Sequence, residues 1–155
     1  MPSVIKAAKF GDAAIIKAII QILKNENIKV ISSIFYNPEL ALNRGNHTKA
    51  KPTQIDRNSI KKGISFFSKF NNLDHVQALI VKDGKVLSKE DNRGTKKMLS
   101  NLKKSSGGIL IKFPKKKQDL RIDLPTVGLK TLIQCKLSGL KGAVSYTHLT
   151  LPTKA

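Results

Sequence analysis

Gln118-Asp119-Leu120-Arg121-Ile122-Asp123-Leu124-Pro125-Thr126-Val127-Gly128 is the stretch on which the reading of this chain turns. Two carboxylates, an arginine, a proline and a glycine crowd around an apolar pair, in a chain otherwise rich in lysine, isoleucine and asparagine. Just upstream, the apolar run 108–113 reads as a buried strand that stops at Pro114. Just downstream, 129–137 reads as a helix ending at Ser138-Gly139. In an extended segment residues two apart point the same way, so Arg121 and Asp123 would bring a guanidinium and a carboxylate to one place. That pair suits either a phosphate clamp beside a metal- or water-holding aspartate, or a plain ion pair within a turn. Pro125 stiffens the segment. Residues 126–128 open the next helix, whose N–H groups could cradle a phosphate. Asp119 reads as a surface residue, and Lys112, leaving its strand beside the motif, is a further candidate phosphate contact.

Working outward, Asp83-Gly84 between the apolar runs 74–81 and 86–88 is a strong hairpin signal. Arg93-Gly94-Thr95 precedes a short helix carrying Met98, Leu99 and Leu102, and Gly94 with Thr95 offers N–H groups and a hydroxyl to an anion, or simply caps the helix. A helix over 57–70, capped by Asp56, presents Ile60, Ile64, Phe67 and Phe70 on one face. Its phenylalanines suit a core better than base stacking. Residues 10–23 predict an amphipathic helix with Ile15, Ile16, Ile19, Ile20 and Leu23 together, stopped at 25–27 and followed by a strand over 28–34. Helices alternating with strands predict an α/β fold, a central mixed sheet flanked by helices. His47 reads as a solvated residue of the loop 35–58, with no second ligand at metal spacing.

The chain has 155 residues and 40% apolar content, enough for one domain with a modest core. No run of about 18 apolar residues marks a membrane span, and the first ten residues lack the features of a signal peptide. The single cysteine, Cys135, excludes an intrachain disulfide and reads as a small apolar residue on a helix. The net charge of +19 points to nucleic acid, an anionic membrane surface or a phosphorylated substrate. Only Arg44, Arg57, Arg93 and Arg121 carry the fork geometry best suited to phosphate, and the excess of lysine, asparagine and isoleucine also follows from AT-rich coding DNA. The basic residues are scattered, so a nucleic-acid-binding module without enzymatic activity is the second reading.

The motifs fall in an order that resembles the C-terminal domain of LpxI, the UDP-2,3-diacylglucosamine pyrophosphatase family of many Gram-negative bacteria. The resemblance runs over about residues 6–144. It rests on Gly11-Asp12, Asp74 with Gln77, 81–87, Glu90, Gly94-Thr95 with Met98, 108–112, Gly139-Leu140-Lys141-Gly142, and above all on 118–128. It implies Mg²⁺-dependent hydrolysis of UDP-2,3-diacylglucosamine to UMP and 2,3-diacylglucosamine 1-phosphate, a lipid A precursor. It implies Asp123 as catalytic residue and metal ligand, with Gly94, Thr95, Lys112, Gln118, Arg121, Thr126 and Gly128 in substrate binding. It also implies a cytoplasmic protein peripheral to the inner membrane, and often a homodimer.

The chain departs from the family pattern in three places. The family's N-terminal domain, which forms the other wall of the cleft, is absent, so the chain is expected to be inactive by itself. Arg93-Gly94-Thr95-Lys96 stands where the family usually has Glu-Gly-Thr-Asp. The tail 145–155 resembles a translated sequencing-adaptor artefact. The expected organisation is therefore a partial catalytic domain over 1–144, truncated at both ends relative to the family, and a non-native tail over 145–155.

Overall fold

Four short strands form one sheet: β1 (Ala78–Lys82), β2 (Lys85–Lys89), β3 (Ile109–Lys112) and β4 (Gly142–Ser145), in the order β2-β1-β3-β4. The computed structural model describes residues 2–10, 12–67, 69, 76–104, 106–114 and 118–146. β1 pairs antiparallel with β2 and β3, and β3 pairs parallel with β4. The sheet is therefore mixed, as expected. The Asp83-Gly84 turn has φ of 48° and 73°, the doubly positive pattern that suits a two-residue hairpin.

Helices pack on both faces. On one lies α4 (Gln54–Phe67), whose Ile60 and Phe67 meet Val81, Ile109 and Ile111. Gly63 lets it approach closely: a Cβ there would overlap Ile111 Cδ1. α4 starts three residues earlier than the spacing suggested. Thr53 is the cap, and Asp56 sits inside the helix. The Asp56 carboxylate accepts from the Thr53 N–H at 2.9 Å, while Thr53 Oγ1 accepts from the Asp56 N–H at 3.2 Å, a reciprocal box. Ile64 stays exposed, and Phe70 lies outside the described residues.

On the other face lie α5 (Gly94–Ser100) and α6 (Leu129–Leu137), around Ala78, Ile80, Met98, Leu99, Leu110 and Cys135. Burial pushes the Cys135 thiol up to about 11, so it is an inert core group. Gly139, at φ 69°, ends α6. Its N–H reaches Lys136 O, and the Leu140 N–H reaches Cys135 O, which satisfies the last helical carbonyls.

The N-terminal third differs. α1 (Pro2–Ala8) packs on α2 (Asp12–Asn25), which ends with Asn27 at φ 59°. The strand expected over 28–34 does not form. Residues 28–32 have no regular structure, and Ser33–Tyr36 is a one-turn helix, α3, whose cap Ser32 accepts the Ile34 N–H. Strand preference is realised only against a neighbouring strand, and among the described residues none pairs with this segment; Ile28 and Ile31 face solvent. A 3-10 turn (Pro38–Leu40) follows, and His47 is exposed in its loop, against Asn43 O. At the other end Ser145 pairs with Lys112 within β4, and the Tyr146 N–H donates to Lys112 O. Residues 147–155 lie outside the described residues.

Candidate active site at the polar edge of the sheet

The register places the N-terminal end of β1 and the C-terminal ends of β2, β3 and β4 along one edge, since Ala78 faces Lys112, Leu79 faces Lys89, and Lys112 faces Ser145. The motif 118–128 forms the connection from β3 to α6 at this edge. In open α/β sheets such connections at the carboxyl ends of parallel strands are where ligands bind. Pro125 and Val127 are buried and anchor the loop, so the polar residues of 118–124 are held rather than trailing.

Four hydrogen bonds tie the edge together. Glu90, only 6% exposed, follows β2 directly. It accepts the Gln77 N–H at 2.8 Å and the Thr95 hydroxyl at 2.5 Å. The Gln77 side-chain amide donates to Gln118 Oε1 at 2.8 Å, joining β1 to the start of the motif. Lys112 Nζ donates to the Thr126 carbonyl at 3.0 Å, joining the end of β3 to the end of the motif. Burial pushes the Lys112 ammonium below its ordinary range, and the carboxylates of Glu90 and Asp123 pull it back up. The Lys112 ammonium, fixed by the Thr126 carbonyl, thus feels the field of both carboxylates at the mouth of the sheet.

The expected geometry of Arg121 and Asp123 is different. Residues 120–122 turn, with the Asp123 N–H bonded to Asp119 O at 2.9 Å. A turn does not alternate its side chains as an extended segment does, and the two part company. Arg121 grips Asp119 at 2.6 Å and reaches the Val30 carbonyl at 3.5 Å, toward the N-terminal region. The Arg121 side chain holds the Asp119 carboxyl down to about 2, with Lys17 adding to the effect. Asp119 is therefore a partly buried partner of Arg121 rather than an open surface residue. Asp123 is half-buried on the Lys112 side.

Of the other predicted residues, the Thr95 hydroxyl is engaged by Glu90, and Gly94 sits at φ 82° with open space around it. Thr126 contributes its carbonyl. Gly128 caps α6 without a side chain, its own carbonyl accepting from Thr131 and Leu132. Asp74 lies outside the described residues. Glu90 and Gln77 emerge as members that motif reading left off the site. The available signal was weak: a lone carboxylate directly after an apolar strand, and an amide directly before one.

Among the described residues no three His, Cys, Asp or Glu side chains gather to cage a metal. The donor set nonetheless fits Mg²⁺, which needs only one or two carboxylates when phosphates and water supply the rest. Among the described residues, the Asp123 carboxylate accepts no hydrogen bond and retains its lone pairs.

An α/β domain with acid, lysine and amide groups collected at the carboxyl edge of its strands belongs with proteins that handle charged ligands there. Residues 43–153 match the LpxI C-terminal domain, and the chain is a member of that family. It is 30% identical over 154 residues to UDP-2,3-diacylglucosamine pyrophosphatase LpxI of Caulobacter vibrioides, covering 93% of this chain and 55% of that protein. The chain thus spans a little over half the length of this relative. The family match includes β4 and runs on to 153, within the tail set apart from the sequence.

Proposed function

We propose that this chain is the phosphate-handling half of a hydrolase that splits the pyrophosphate of UDP-2,3-diacylglucosamine into UMP and 2,3-diacylglucosamine 1-phosphate. Family membership and the activity in the relative's name support the reading. The observation that carries it is the bonded polar edge, where Lys112 Nζ meets the Thr126 carbonyl, Gln77 meets Gln118, and Glu90 meets Gln77 and Thr95.

Each residue has a role that follows from its surroundings. Lys112 binds a phosphate oxygen as a point charge, its position set by the Thr126 carbonyl. Asp123 holds Mg²⁺ or orients the attacking water with its open carboxylate. Bound there, Mg²⁺ would neutralise charge on the two phosphates as the bridging bond breaks. Glu90 aligns Thr95 and the start of β1 through its two hydrogen bonds, and Gln77 with Gln118 fixes where the motif leaves β3. The backbone N–H of Gly128 is available to a phosphate oxygen, whereas that of Gly94 already donates to the Asp91 carbonyl. Arg121, turned toward Val30, acts on the position of the motif rather than on the phosphates.

The test joins this chain to the preceding half of the Caulobacter vibrioides relative and follows UMP release from UDP-2,3-diacylglucosamine with Mg²⁺. Turnover is expected from the joined protein and not from the chain alone. Asp123→Asn should lower it by about 10²–10⁴-fold, the range for loss of a positioned acid–base group. Undiminished turnover in that variant removes Asp123 from the chemistry.

A further inference from the structure

Glu90 sets the direction in which the Thr95 hydroxyl can bond. It is buried and pinned twice: its N–H donates to the Ala78 carbonyl at 2.9 Å, and its Oε2 accepts the Gln77 N–H at 2.8 Å. Its other oxygen, Oε1, meets the Thr95 hydroxyl at 2.5 Å. A carboxylate has no proton to give, so the single hydroxyl proton of Thr95 is committed to Glu90. What Thr95 Oγ1 still offers is lone pairs. Thr95 is only half-buried, within reach of a ligand at the polar edge.

A mere tie between α5 and β2 does not require this arrangement, because burying a carboxylate is costly and a neutral partner would hold Thr95 too. An amide at position 90 would give its oxygen to the Gln77 N–H and turn its NH2 to Thr95, which reverses the hydroxyl. A carboxylate accepts at both ends and keeps the hydroxyl pointing inward. The pair also belongs to the site, since the charges of Glu90 and Asp123 both act on the Lys112 ammonium. Phosphate oxygens arriving there are acceptors, as Thr95 Oγ1 is, and two acceptors do not bond. We infer that Glu90 is a positioning residue that holds Thr95 as a hydrogen-bond acceptor. Thr95 then receives a proton-bearing group, a water or a substrate hydroxyl or N–H, and the phosphate oxygens fall to Lys112. The inference rests on the phosphate-handling reading above and separates Thr95 from the phosphate contacts.

The test is titration calorimetry of the full chain with inorganic pyrophosphate, arranged as a double-mutant cycle. With Glu90 in place, Thr95→Val should leave the affinity within about twofold. Glu90→Gln frees the hydroxyl proton, so in that background Thr95→Val should weaken binding about three- to tenfold, the worth of one hydrogen bond. A hydroxyl that only ties α5 to β2 would act alike in both backgrounds. Circular dichroism confirms that each variant is folded, and Thr95→Ser should rescue whatever Thr95→Val loses. In the joined protein, Thr95→Val should lower kcat at unchanged KM if the partner is water, and raise KM if it is a substrate hydroxyl or N–H. The inference is overturned if neither changes, if Thr95→Val weakens pyrophosphate binding with Glu90 in place, or if the two backgrounds respond alike. Lys112→Gln should weaken pyrophosphate binding at least about tenfold. Failure of the parent to bind pyrophosphate, or of Lys112→Gln to weaken it, would instead overturn the phosphate-handling reading and this inference with it.

Discussion

Residues 4–42 and 54–146 are both rich in isoleucine and leucine, yet they use them differently. The second region buries Leu79, Ile80, Leu99, Leu110 and Ile111 to within 1% of full burial. In the first, no described side chain is buried, and Ile5, Phe10, Phe35 and Tyr36 are exposed. The family match begins at residue 43, between the two. Apolar content alone does not make a core. It needs a second layer to bury against, and only the sheet with α4, α5 and α6 supplies one. α1 and α2 have each other, and a single helical hairpin covers too little surface. Among the described residues, the links at the motif between the regions are thin: Arg121 to the Val30 carbonyl and the charge of Lys17 on Asp119.

The contrast can be broken by substitution. Leu110→Ala, at the centre of the sheet, should cost about 2–5 kcal/mol in a denaturant titration. Gly63→Ala forces a methyl group into Ile111 and Val81 and should cost about 1–3 kcal/mol. Thr53→Ala removes the reciprocal cap of α4 and should cost about 0.5–2 kcal/mol. Ile22→Ala in α2 should stay within about 0.5 kcal/mol of the parent. A loss there as large as that of Leu110→Ala would show that the N-terminal helices belong to the same cooperative core.

The smallest effect is in pH. The Asp119 carboxyl is held at about 2, below its ordinary 3.8, so its contribution to the folded state is complete above that ordinary value. It disappears as pH falls from about 4 to about 2. The pair is partly exposed, so the global midpoint should barely move. Amide protection factors, corrected for intrinsic exchange, should fall around Val30 and Asp123 over that interval while Leu79–Val81 stays protected.

How much was legible beforehand follows from how local each feature is. The Asp83-Gly84 turn, the limits of α6 and the stop at 25–27 are written in neighbouring residues, and all three form where expected. The α/β class followed from the same local signals. The strand over 28–34 failed because a strand exists only against a partner far away in sequence. The Arg121–Asp123 pairing failed because spacing was read in an extended frame, and a hydrogen bond from Asp123 to Asp119 turned the segment. Glu90 was read as part of the family pattern but not of the site, because its role lies in Gln77, Thr95 and Lys112, which only the fold brings to it.

The central claim is that chemistry resides on the Glu90–Lys112–Asp123 edge, whereas Arg121 ties the motif to the N-terminal region. UMP release by the joined protein, compared between Asp123→Asn and Arg121→Gln, tests it directly. The account predicts a loss of about 10²–10⁴-fold in kcat for the first, and for the second a kcat close to the parent's. Equal losses in kcat, or a larger loss in Arg121→Gln, would contradict it.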